Sequence, residues 1–257
     1  MTELAPYQRI AKDLRDKILS GELAPGDHLP SEPQLAERFR VARNTAARAV
    51  KQLRDEGLII TTQGARSTVR ARPRIFYLAT GENFRDRQST GKPNDIAEAE
   101  AQGHDSRNEL LDFGEVPAPP EVAKLLEVEV GAPVVMRYQL NRAKGEPMKA
   151  MRCYYRLDFA TGTALAEPHL VSGGVANLIE AENGPFRRVI AKFVEDVELR
   201  MPLPAESELL LIPPGVPVAR VLRTMYDVSG EPLEVLDSLL PGDRYFLRYV
   251  ITVPEKP

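Results

Sequence analysis

Residues 41–60 read Val41-Ala42-Arg43-Asn44-Thr45-Ala46-Ala47-Arg48-Ala49-Val50-Lys51-Gln52-Leu53-Arg54-Asp55-Glu56-Gly57-Leu58-Ile59-Ile60, and Thr61-Thr62-Gln63-Gly64-Ala65-Arg66-Ser67-Thr68-Val69 follow. Helical spacing runs from residue 43 to residue 56. Ala46, Ala49, Val50 and Leu53 fall on one side, and Arg43, Asn44, Ala47, Arg48 and Lys51 on the other. Gly57 suits the left-handed residue that ends a helix. Two β-prone runs, 58–61 and 68–70, then flank a turn at Gln63-Gly64, with Arg66 on the returning arm. A solvated surface helix also carries a polar stripe, so the informative feature is the basic hairpin directly after it.

Working outward, the chain before this stretch supplies two more helices. Tyr7, Ile10, Leu14 and Ile18 recur at three- and four-residue steps, with Arg9, Lys12, Arg15 and Lys17 outside them. Gly21 and then Pro25-Gly26 close that helix. Ser31-Glu32-Pro33-Gln34 reads as a capping box, with Pro33 in the first turn, where its missing N–H does no harm. Leu35, Ala36 and Phe39 give the short helix that follows a core face. Three helices and a hairpin in about seventy residues make a complete small domain. A helix with a basic outer stripe and a basic wing is what a winged helix-turn-helix presents to DNA, the helix in the major groove and the wing on the neighbouring backbone or minor groove.

Charge and composition agree with that reading. Residues 1–74 hold 14 Lys/Arg against 9 Asp/Glu, whereas the remainder holds 20 against 28, within a net charge of −3 over 257 residues. A basic head on an acidic body predicts that the head meets a polyanion. A mean hydropathy of −0.29 and the lack of any run of 18 apolar residues argue against a membrane span. Residues 1–6 lack a signal-peptide pattern, so the expectation is a cytoplasmic protein. The single cysteine, Cys153, has no internal disulfide partner and reads as a buried apolar residue.

The N-terminal stretch resembles the GntR family of bacterial transcription regulators. The resemblance is carried by Tyr7-Gln8-Arg9-Ile10-Ala11, by Ile18 through Glu32, and by Leu35-Ala36, Arg43, Leu53, Glu56-Gly57-Leu58 and Gln63-Gly64 in order and spacing. It implies DNA binding as a dimer, with Ser31, Arg43, Asn44, Thr45, Gln63 and Gly64 as DNA-contacting positions and Arg66 beside them. Three positions depart from the family pattern: Pro33 and Ala47 stand where arginine is usual, and Ala42 where Ser or Thr is usual. Losing the side-chain cap at Ala42 costs about 1 kcal/mol of helix stability. Arg48, one position after Ala47, is expected to take part of the lost contact.

The body carries an internal repeat. Leu125-Leu126-x-Val128-x-x-Gly131-x-Pro133-Val134 returns as Leu209-Leu210-x-Ile212-x-x-Gly215-x-Pro217-Val218, and Gly145-Glu146-Pro147 returns as Gly230-Glu231-Pro232. Each copy reads as a short helix (120–126 and 204–211), a tight turn and a β-hairpin. A helix over 95–102, another over 175–181, and strands over 109–116, 189–198 and 245–253 complete an α+β domain with a central antiparallel sheet. These elements, with Arg137, Tyr155 and Gly242-Asp243-Arg244-Tyr245, resemble the UTRA ligand-sensing domain of the HutC subfamily, whose fold is similar to chorismate lyase. The resemblance implies a small-molecule effector and a homodimer. The implied division is a DNA-binding domain at 1–72, a linker at 73–80 and an effector domain at 81–257. In such a domain Arg137 could meet an anionic ligand bidentately, with Gln139 beside it on the same strand face. Tyr155 and Glu234 match pocket positions, and Ser172 and Ser238 could donate hydroxyls.

No metal or cofactor is expected, because His28, His104 and His169 lack partners at metal-ligand spacing and no Gly-rich phosphate loop or Gly-x-Ser-x-Gly elbow is present. The expectation is a non-enzymatic repressor that binds a near-palindromic operator and is modulated by an effector. Two other readings stay open at this stage: a DNA-binding protein whose body only dimerises, and a lyase-like enzyme with a DNA-binding head.

Overall fold

The computed structural model describes residues 4–60, 66–70, 75–78 and 84–250. The chain divides into two units, Met1–Arg74 with Met201–Pro217, and Ile75–Arg200 with Val218–Pro257.

The first unit begins with α1 (Pro6–Ser20), α2 (Glu32–Phe39) and α3 (Arg43–Asp55). Each boundary has a local cause. Gly21 takes a left-handed φ of 82° and stops α1. The capping box at α2 forms as expected: the Ser31 amide donates to Gln34 Oε1 at 2.9 Å, and the Gln34 amide donates to Ser31 Oγ. At the end of α3 the Leu58 amide reaches back to the Leu53 carbonyl at 3.0 Å around left-handed Gly57, the 6→1 closure of a Schellman motif. Two short strands, β1 (Ile59–Ile60) and β2 (Thr68–Val69), pair antiparallel, and residues 26–29 bond to the outer side of β2. The expected turn at Gln63-Gly64 lies outside the described residues.

Ile10, Leu14, Leu35, Ala46, Ala49 and Leu53 form a core with no exposed surface, completed by Leu29, Ile59 and Val69. A bidentate pair joins α1 to the end of α3. Arg15 Nε donates to Glu56 Oε2 at 2.8 Å and Arg15 Nη2 to Glu56 Oε1 at 2.5 Å, with Gln52 Nε2 adding a third bond at 2.9 Å.

In the second unit, α4 (Phe84–Ser89) and α5 (Asn94–Ala101) precede a six-stranded antiparallel sheet. Its strands are β4 (Ser106–Pro117), β5 (Pro133–Ala143), β6 (Glu146–Arg156), β7 (Ile190–Arg200), β8 (Val218–Asp227) and β9 (Pro232–Pro241), in the spatial order β4-β5-β6-β9-β8-β7. Two three-stranded meanders therefore meet along β6 and β9. Four of the turn glycines read from the sequence take a left-handed backbone. Gly131 and Gly215 take φ of 82° and 81°, and Gly145 and Gly230 take 85° and 87°, values that suit glycine.

Alternation along the strands sorts the sheet into two faces. Helix α6 (Pro120–Leu126) covers one, packing Val122, Ala123 and Leu126 on Val134, Met136, Tyr154, Leu222 and Val235. The opposite face carries Val135, Cys153, Tyr155 and Met225. It is covered by α4, by α7 (Leu157–Ala160) with the 3-10 turn after it, and by α8 (Val175–Glu180).

Several elements differ from expectation. Residues 75–78, read as linker, are a strand, β3 (Ile75–Leu78), paired in parallel with β10 (Tyr245–Arg248). No local pattern announces a parallel partner so distant in the chain. Helices α4 and α7 were not expected, being too short to show a period, and β4 begins three residues before the apolar alternation does.

The Arg15–Glu56 pair yields a test. Hydrogen bonds from Arg15 hold the Glu56 carboxyl below its ordinary value, against an opposing push from burial. Its contribution is complete above the ordinary glutamate range of about 4.3 and disappears as pH falls through the lowered folded-state value. Glu56→Gln is expected to cost about 1 kcal/mol at pH 7, since the pair is partly exposed. In urea unfolding the gap from the unaltered protein should narrow toward pH 3.

Candidate functional site

The exposed side of α3 begins at Ala42, which provides no side-chain cap. The positive end of a thirteen-residue helix is thus left without an internal acceptor at its cap position. Arg43 is largely exposed, with its nearest acid, Glu32, at 3.6 Å. That contact puts the first turn of α3 beside the first turn of α2, where Ser31 sits. Asn44 is exposed and Thr45 half-buried on the same turn. Arg66 is exposed next to β2, and Gln63 and Gly64 lie outside the described residues. Arg48, expected to reach DNA, is exposed, but its guanidinium lies 3.9 Å over the ring of Tyr7, where it couples α3 to α1.

A cavity of about 170 Å³ lies within the second unit, against the sheet face opposite α6. Strand alternation supplies its floor. Gln139 comes from β5, Lys149, Met151 and Cys153 from β6, Glu234 and Leu236 from β9, and Arg223 and Met225 from β8. Helices α4, α5 and α8 supply Arg87, Asp95, Glu98 and Val175.

Two of the six expected effector residues, Gln139 and Glu234, line this cavity. Arg137 does not. It is fully buried, its Nη1 donates to the carbonyls of Leu165 (2.9 Å) and Glu167 (2.7 Å), and its Nη2 donates to that of His169. The expected ligand-binding arginine is therefore a clamp on the loop after α7, because three main-chain oxygens already occupy its fork. Tyr155 lies behind the wall and donates its hydroxyl to Glu234. Ser238 is buried opposite Met151 in the β6–β9 pairing without reaching the cavity, and Ser172 points to solvent between two lining residues, Val171 and Gly174.

Apart from Glu234, sequence reasoning missed the charged residues of the lining. For two of them a signal was present: Lys149 alternates with Met151, Cys153 and Tyr155, and Arg223 with Val221 and Met225. Arg87 and Glu98 come from a segment without a usable period. Arg223 is held by Glu195 through its Nε and Nη2, both at 2.5 Å from Oε1. Tyr77 donates to the same oxygen at 3.2 Å. Lys149 Nζ lies 3.4 Å from Asp95 Oδ2, and Asn108 donates to the other oxygen of Asp95 at 3.3 Å.

Burial raises the Glu234 carboxyl above its ordinary range, outweighing the hydrogen bond from Tyr155. Burial, reinforced by the charge of Glu234, also holds the Cys153 thiol and the Tyr155 hydroxyl in their protonated forms. A thiol so disfavoured as thiolate is a poor nucleophile. Among the described residues no cluster of His, Cys, Asp and Glu could hold a metal ion, and no helix is long and apolar enough to cross a membrane.

Residues 6–69 match the family of bacterial regulatory proteins named gntR, and residues 101–245, more than half of the chain, match the UTRA domain. The chain is a GntR-family transcription regulator. It is 28% identical to an HTH-type transcriptional regulator of Streptomyces coelicolor, over 99% of this chain and 96% of the relative. It is 26% identical to the transcriptional repressor NagR of Bacillus subtilis, over 95% and 94%. A solved GntR-family regulator superposes with a TM-score of 0.65 at 28% identity, covering 97% of this chain and 98% of the other. The GntR-family regulator is accordingly a DNA-binding protein and not an enzyme, and its UTRA domain is of the effector-binding kind.

The clamp at Arg137 can be tested. Arg137→Met would take the guanidinium from three inward carbonyls, of which that of Glu167 keeps the His169 amide at 2.9 Å. It is expected to destabilise the second unit by about 2–4 kcal/mol, read as a lowered urea midpoint at unchanged slope.

Proposed function

We propose that this GntR-family regulator is a cytoplasmic repressor. Two copies grip the half-sites of a near-palindromic operator, and a small anionic molecule in the cavity of each second unit loosens that grip. The single observation that supports the reading most is the first turn of α3, where an exposed arginine and an exposed asparagine sit at an uncapped positive helix end. Arg43, Asn44 and Thr45 read base edges and adjoining phosphates, Ser31 and the wing residues Gln63, Gly64 and Arg66 hold the backbone, and Arg48 lends its charge to the same face. Residues 1–72 act as the DNA-binding module, and the effector module starts at β3 rather than beyond it.

The switch needs only a differential. A ligand that prefers the arrangement unable to hold both half-sites by about 1–3 kcal/mol weakens operator binding roughly 5–150-fold. The relatives include repressors, which favours release over recruitment.

Genomic fragments selected with the purified chain are expected to share a two-fold sequence. On such a fragment Arg43→Ala should lower affinity roughly 5–150-fold, a loss of about 1–3 kcal/mol. Affinity of the unaltered protein should also fall steeply between 50 mM and 200 mM salt, as phosphate contacts require. Equal binding to random duplex, or affinity indifferent to salt, would remove the assigned face. Sedimentation of the complex measures the stoichiometry, with two chains per operator expected.

A further inference from the structure

We propose that the cavity takes a small organic monocarboxylate, with its head held by Arg87 and Lys149 and its carbon frame lying on Met151, Met225 and Leu236. This rests on the effector reading above and names the class of ligand.

Three guanidinium groups lie on the covered side of the sheet, those of Arg87 and Arg137 buried and that of Arg223 half-buried. Arg223 is met by Glu195, and Arg137 by three carbonyls through both its Nη atoms, with Nε alone unmet. Arg87 differs. It is nine-tenths buried and lines the cavity, yet its Nε and Nη1 have no hydrogen-bond acceptor among the described residues. Its nearest acid, Glu98, stands 3.5 Å from Nη1, close enough for attraction but without a hydrogen bond. A guanidinium cannot shed its proton, so these donors stay charged and unmet until an acceptor arrives. Lys149 lines the same cavity with a loose partner, because Asp95 at 3.4 Å is shared with the amides of Asn108 and Asn141. Two cations therefore lack full partners where the acids are already occupied.

The remainder of the cavity decides which anion. Asp95 and Glu98 border the same space, so a second negative charge on the ligand would be repelled, and a phosphate dianion fits poorly. A volume of about 170 Å³ is close to that of a protein cavity that admits benzene. The ligand accordingly has on the order of ten heavy atoms. Met151, Met225 and Leu236 offer an apolar floor, which suits an alkyl or aryl frame.

The test is isothermal titration of the full chain with benzoate and hexanoate, set against benzyl alcohol, benzylamine, inorganic phosphate and glucose 6-phosphate. At least one carboxylate is expected to bind with a Kd in the millimolar range or below, and the neutral, cationic and phosphorylated probes at least tenfold more weakly. Arg87→Met and Lys149→Met should each weaken the carboxylate at least tenfold, with Arg87→Lys retaining part of the affinity. Circular dichroism and thermal melting of each variant separate lost contact from lost fold. Should Arg87→Met misfold, Lys149→Met and Arg87→Lys carry the comparison. Preference for glucose 6-phosphate or benzylamine, no binding of either carboxylate, or unchanged affinity in a folded Arg87→Met or Lys149→Met protein would overturn the proposal. Operator binding measured on the same preparation reports independently on the regulator reading, so the two can fail separately.

Discussion

The second unit depends on five residue pairs between β6 and β9, from Ala150 opposite Leu239 to Tyr154 opposite Val235. These pairs join two meanders that could not separately cover their apolar faces. A three-stranded sheet with one helix leaves a face open, whereas six strands in one sheet let α6 cover one side and the helices around the cavity cover the other. The same pairs set which residues face the cavity. Cys153 and Leu236 look inward as a pair, while Tyr154 and Val235 look toward α6. A slip of one residue would exchange the two sets and put Tyr154 where Cys153 stands.

The two units use charge in opposite ways. In the first, Arg43 is left at the surface with a loose partner, and hydration keeps it inexpensive until a polyanion displaces the water. In the second, arginines are turned inward and given acceptors, three carbonyls for Arg137 and Glu195 Oε1 for Arg223, so that they hold loops and strands in place. Burial without acceptors would be costly, which is why Arg87 stands apart from its neighbours.

Much of this was legible in the residues themselves. The period of α3, the capping box at Ser31 and the turn glycines at 131, 145, 215 and 230 act within a few residues, and local rules read them correctly. The parallel pairing of β3 with β10 was not legible, since nothing in Ile75–Leu78 specifies a partner near the other end of the chain. Arg137 shows a second limit. A strand position that alternates into the interior looks the same in sequence whether a ligand or a later loop supplies its acceptors. Lys149 and Arg223 were readable from alternation alone, whereas Arg87 and Glu98 face the cavity only because tertiary packing brings α4 and α5 over the sheet.

The tie between Arg137 and the carbonyls of Leu165, Glu167 and His169 ends immediately before Leu170 and Val171, which form part of the cavity's rim. Rims built only from apolar side chains settle inward or spread with whatever they enclose, because shape is all that holds them. This one is moored by attraction between a fixed cation and fixed dipoles, a force indifferent to what lies beneath. Little ordering is then left to be done at the rim, and its fixed outline sorts molecules that share a head group by the shape of their skeleton.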